Sequence, residues 1–184
     1  MKSNTLKKNV LSALFLALGL VLPFFTGQIP QIGKMLLPMH IPAMLCGFIC
    51  GPVYGLIVGA LMPLCRSAWF HMPQLYPTAI AMAFELGAYG FIAGAIFKLR
   101  KTKGAASVYI ALLLAILGGR AVWGIVMAVM LGTQSTVFTF SMFAASAFTT
   151  ALPGIILQLI LIPAVMLLLK RAGLVPIEKV KQDE

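Results

Sequence analysis

Residues 79–94 read AIAMAFELGAYGFIAG, and the only side chain among them that is not apolar, aromatic or glycine is Glu85. The other three acids, Glu178, Asp183 and Glu184, lie in the C-terminal tail. Two arginines sit in similar surroundings. Arg66 closes the apolar run 35–65, and Arg120 lies inside the run 105–132. A charge within an apolar segment is costly, so it is normally paired or functional. Glu85 and Arg120 can form an ion pair, bind a polar ligand, or do both. Catalysis is less well supplied. There is no HExxH, GxSxG or paired-carboxylate motif, and no glycine-rich phosphate loop. His40 and His71 stand alone, which suits interface residues better than metal ligands. Cys46 and Cys50 share a helix face and Cys65 lies in an apolar run, without a CxxC or a His/Cys cluster. They read as small packing residues, and no metal or cofactor is expected.

Polar and aromatic residues gather near these charges. The stretch 66–77, RSAWFHMPQLYP, contributes Trp69, His71, Gln74 and Tyr76. The stretch 26–34, TGQIPQIGK, contributes Gln28, Gln31 and Lys34. Tyr89 is one helical turn from Glu85, and Trp123 lies close to Arg120. An apolar wall with stacking aromatics and a few convergent polar groups makes a small-molecule pocket. The candidate ligand-binding residues are therefore Arg66, Trp69, His71, Gln74, Glu85, Tyr89, Arg120, Trp123, Gln28 and Lys34. The plainer alternative is a Glu85–Arg120 pair that only ties two helices together, with the aromatics as an interfacial belt. Two arginines facing one glutamate would leave a surplus positive charge, which favours a carboxylate-bearing ligand.

The elements that hold these residues are membrane helices. The chain has 184 residues, 61% hydrophobic and 10% charged, with a mean hydropathy of +1.02. Soluble domains are about 45–50% apolar and about 25% charged. The net charge of +10 does not indicate nucleic-acid binding. Eleven of the fourteen basic residues fall in three patches beside apolar runs, at 2–8, 98–103 and 170–181, which is the positive-inside pattern. The basic start followed by an apolar run resembles a signal peptide, but FFTGQIPQ offers no small-x-small site, so a retained first helix is expected.

The apolar runs predict an all-α membrane protein: one domain over 1–184, a compact bundle of six transmembrane helices at about 8–25, 36–51, 52–66, 77–98, 105–132 and 147–170. Gly51-Pro52 divides the second from the third, because proline suits a helix's first turn. Six spans with basic ends place both termini, the basic residues 98–103 and the Gly51-Pro52 turn on the cytoplasmic side. The loops 26–38, 66–77 and 132–146 then face outward. Glu85 lies about 12 Å below the outer end of its helix and Arg120 about 22 Å above the inner end of its own, both in the outer half. Gly47, Gly51, Gly55 and Gly59, with Gly90 and Gly94, recur every fourth residue, as tight helix packing in lipid requires.

Residues 12–20, SALFLALGL, carry an Ala-x-x-x-Ala pattern at Ala13 and Ala17 on helix one. With LLPMHIPAMLCGFICGP at 36–52 and the six-helix layout, the chain resembles the substrate-binding S components of energy-coupling factor (ECF) vitamin transporters. The resemblance covers nearly the whole chain. It implies a multi-pass protein of the bacterial plasma membrane that binds a vitamin in an outward pocket closed by loops one, three and five. It implies that Ala13 and Ala17 dock on a transmembrane T component, that two ATPase subunits handle ATP, and that the S component topples to release its cargo. The surplus positive charge points to pantothenate, while the aromatics equally suit pyridoxine or hydroxymethylpyrimidine. An intramembrane enzyme or a self-sufficient secondary transporter is the alternative of another class. The latter would need midplane coupling residues and internal repeats, and neither is visible.

Overall fold

The computed structural model describes residues 2–26, 29–100, 104–132 and 139–171, and every regular element among them is helical. α1 spans Lys2–Val21 and runs into a 3-10 turn, Leu22–Thr26. α2 is Pro30–Leu36, α3 His40–Cys50 and α4 Pro52–Phe70. A π turn, Leu75–Ala79, leads into α5, Ile80–Leu99. α6 is Ala105–Gly132, α7 Phe140–Ala144, and a second π turn, Ala145–Thr149, precedes α8, Leu152–Arg171.

Among the described residues, five helical stretches are long and apolar enough to cross a membrane: Thr5–Phe25, Pro52–Phe70, Leu75–Leu99, Ala105–Gly132 and Leu152–Arg171. α3 is apolar but has only 11 residues. Its length, about 16 Å, is half of a bilayer's hydrocarbon core. The sequence predicts one helix over 36–51 and a loop over 26–38. The structure instead has two helices broken at 37–39. Leu37 precedes Pro38, which disfavours the right-handed helical region, and Leu37 adopts φ 50°, ψ 48°. Gly51 makes the expected break between α3 and α4 at φ 108°, with Pro52 opening α4. α4 also continues past residue 66, through Phe70, before His71 closes it at φ 56°.

α5 lies in the middle of the bundle, against α3, α4 and α6. Its approach to α3 and α4 requires glycine. A Cβ on Gly47 or Gly55 would strike the Gly90 carbonyl, and one on Gly94 the Gly47 carbonyl and Pro52. The four-residue glycine spacing is thus a packing device inside the bundle. α1 lies across α3 and α4 and buries Ser12, Phe15 and Gly19. α8 packs on α2, α3 and α6, burying Gly154, Gln158, Ile162 and Met166 at four-residue intervals.

Candidate functional site

The central position of α5 decides where its carboxylate goes. Glu85 and Tyr89, one turn apart, are both buried, at 2% and 1% exposure. α6 runs antiparallel beside them. Tyr76 Oη donates to the Met130 carbonyl at 2.7 Å, which sets the register of the two segments. Nine residues inward from Tyr76 is Glu85, and ten inward from Met130 is Arg120. Arg120 Nη1 donates to Glu85 Oε1 at 2.9 Å. Gly119 makes this approach possible, because a Cβ there would strike the Tyr89 ring.

A third helix enters the cluster. His40, the first residue of α3, is buried, with Nε2 3.5 Å from Glu85 Oε1. Its ring meets the Tyr89 ring edge-on at 5.1 Å between centroids. The break at 37–39 is what lets α3 start at this depth. Glu85, Arg120, Tyr89 and His40 therefore bring a carboxylate, a guanidinium, a phenol and an imidazole together from three helices. A pair so placed cannot lose one partner cheaply. Stranding the other charge costs about 3–5 kcal/mol.

Part of this polar surface has no partner. Among the described residues, His40 Nδ1 and Nε2, Arg120 Nε and Nη2, and both amide atoms of Gln158 are buried without a hydrogen bond. Each such atom costs about 1–3 kcal/mol. The Glu85–Arg120 pair by itself thus leaves the Arg120 and His40 nitrogens over.

The remaining candidates go elsewhere. Arg66 is buried at 3% exposure, and its guanidinium meets the end of α1 and Phe70 of its own helix. Its Nη1 donates to the Leu20 carbonyl at 2.8 Å. Its guanidinium lies 5.0 Å from the Phe24 ring centroid and 5.4 Å from that of Phe70. Residue 23, which would donate to Leu20 in a 3-10 turn, is proline and has no N–H. Arg66 thus caps α1 between two aromatic rings, and the expected convergence of two arginines on Glu85 is corrected. Trp69, His71 and Gln74 are exposed at the outer end of α4 and in the loop after it. Trp123 is half-buried and stacks on Phe143 at 6.2 Å. Gln28 lies outside the described residues. Lys34 is on α2, but its side chain lies outside the description.

Sequence reasoning gave His40 an interface role and did not single out Gln158. The signal for Gln158 was available, since it is the sole polar residue in 151–169. For His40 no local signal exists, because its partner is 45 positions away.

The chain matches the family model described as the ECF transporter, substrate-specific component, over residues 7–166. It belongs to that family. No curated protein and no solved structure gives a significant match. As an S component the chain is a membrane-embedded, vitamin-type substrate-binding subunit of an ECF importer, and its family is one of transporter components and not of enzymes.

Proposed function

We propose that this S component binds its small-molecule cargo at the His40–Glu85–Tyr89–Arg120 cluster and delivers it to an ATP-driven importer in the bacterial plasma membrane. The observation that carries this reading is the buried Arg120–Glu85 pair with unpartnered donors and acceptors around it. Six membrane crossings, with both termini cytoplasmic, agree with the basic patches. Five are the long helices. The sixth is α3 continued outward by α2, a broken span. Irregular backbone at membrane depth is tolerated where it is buried in protein or lines a cavity, and this break adjoins His40. The cluster is covered, so cargo enters by movement of the outer segments, among which α2, the loop 71–79 and α7 are the nearest in sequence to the site helices.

Ala13 and Ala17 are exposed, away from the buried Ser12, Phe15 and Gly19. That face is free to dock on the T component, and the two ATPase subunits supply the energy. Uptake by this chain without the ATPase subunits would instead support a self-sufficient secondary transporter.

Capping of α1 by Arg66 removes the surplus charge that favoured pantothenate. Glu85 and Arg120 balance each other, so the site suits an uncharged ring compound such as pyridoxine or hydroxymethylpyrimidine. Calorimetric titration of the purified protein with these two, pantothenate, nicotinate, thiamine and riboflavin tests the reading. Submicromolar saturable binding of one compound supports it. No binding by folded protein to any of them would sink it.

A further inference from the structure

At the inner end of the bundle α6 begins where α8 finishes, and the two helices pack on each other. On α8, Pro163, Met166, Leu167 and Lys170 recur at three- and four-residue steps, so they share one face. With Gly104, just before α6, and Val108 in its first turn, they line a shallow crevice. Glycine, valine and proline are short, which leaves a gap between the helices. Pro163, Met166 and Val108 are buried and make the floor, while Leu167, Lys170 and Gly104 are exposed. A Cβ on Gly104 would meet nothing within 4 Å, so that end is open. The crevice is thus apolar along its length, with a cation at its mouth.

Charge around the mouth is one-sided. Lys170 and Arg171 stand in the last turn of α8. Lys103 directly precedes Gly104, and Arg100 is four residues before it, at most about 14 Å of chain away. Glu85 is buried in the bundle, and Glu178, Asp183 and Glu184 lie outside the described residues. No carboxylate among the described residues pairs with Lys170. Bases that served only as interfacial anchors would need no crevice beside them. An occupant has to offer an anion to Lys170 and an apolar chain to the floor. In a membrane that combination is an anionic glycerophospholipid, and basic crevices between helices on the cytoplasmic side suit such headgroups. We infer that the α6–α8 crevice binds an anionic phospholipid, with its phosphate on Lys170 and one acyl chain against Val108, Met166 and Leu167. The bound lipid ties the inner ends of α6 and α8 together, about 22 Å along α6 from Arg120. The choice of leaflet rests on the proposed topology, whereas the site needs no cargo.

The test is native mass spectrometry of the full chain, delipidated in detergent and given equal amounts of dioleoylphosphatidylglycerol and dioleoylphosphatidylcholine. The two lipids share their acyl chains, so a preference reads the headgroup charge. Wild type should retain phosphatidylglycerol with a preference of about fivefold for each contacting base. Lys170→Gln should lower that preference by about fivefold. Lys8→Gln removes the same charge from α1, which packs on α3 and α4, and should change it by less than about twofold. Leu167→Trp fills the crevice from an exposed position without altering charge, and should lose the retained lipid. Equal retention of the two lipids by wild type overturns the inference. Equal effects of Lys8→Gln and Lys170→Gln also overturn it, since they would mean diffuse attraction to the whole basic side. So does undiminished retention in Leu167→Trp. Cargo is absent from every arm, so failure here leaves the substrate-binding reading standing, and failure of cargo binding leaves this site standing.

Discussion

Arg66 and Arg120 are both buried arginines in membrane helices, yet the protein treats them differently. Arg66 meets a helix-end carbonyl and two aromatic rings, and none of its atoms is left buried and unpartnered among the described residues. Arg120 meets a carboxylate but keeps Nε and Nη2 unpartnered. The first arrangement is complete in itself and holds α1 to α4. The second is incomplete, and the His40 imidazole beside it also lacks a hydrogen bond. A buried charge is therefore a candidate binding group where the fold leaves some of its hydrogen-bonding capacity unused, as at Arg120.

Substitutions at the two positions should separate these roles. Arg120→Met strands Glu85, so it should lower stability by about 3–5 kcal/mol and abolish ligand binding, read by thermal unfolding and calorimetry. Arg66→Met loses a charge-assisted bond and should destabilise by about 1.5–3 kcal/mol. Its ligand affinity should stay within about threefold of wild type, a difference below 1 kcal/mol. An equal loss of affinity in both variants would erase the distinction. Tyr76→Phe removes the bond from the loop 71–79 to the end of α6 and should cost about 1 kcal/mol. Faster hydrogen exchange confined to that loop and the outer end of α6 would register it. Ala13→Trp with Ala17→Trp should leave stability and binding of the isolated protein unchanged and abolish uptake by the assembled transporter. Normal uptake would remove that face from the docking surface.

Much of the architecture was legible because lipid imposes long apolar runs. The span of α6, 105–132, follows from its apolar run and the basic residues before it, and the glycine spacing announced the α3–α4–α5 packing. α2 was not legible. Seven residues containing Gly33 and Lys34 carry too little periodicity to stand out from a loop. Arg66 was misplaced because a charge at the end of an apolar run reads as a helix edge. Only the extra turn to Phe70 and the fold of Phe24 onto it reveal an aromatic box. Glu85 and Arg120 were found by the cost of burying charge. The same rule applied to neutral amides would have found Gln158. The approach of His40 to Glu85 depends on a helix break whose depth no local pattern encodes.

The most direct test compares wild type, Arg66→Met and the double variant Glu85→Gln/Arg120→Met in one titration. The double variant removes both charges and strands neither. Trp69 and Trp123 are the only tryptophans, and Trp123 is three residues from Arg120, so intrinsic fluorescence supplies a signal alongside calorimetry. The account predicts wild-type binding in Arg66→Met and no saturable binding in the folded double variant. Wild-type affinity in the double variant would contradict it.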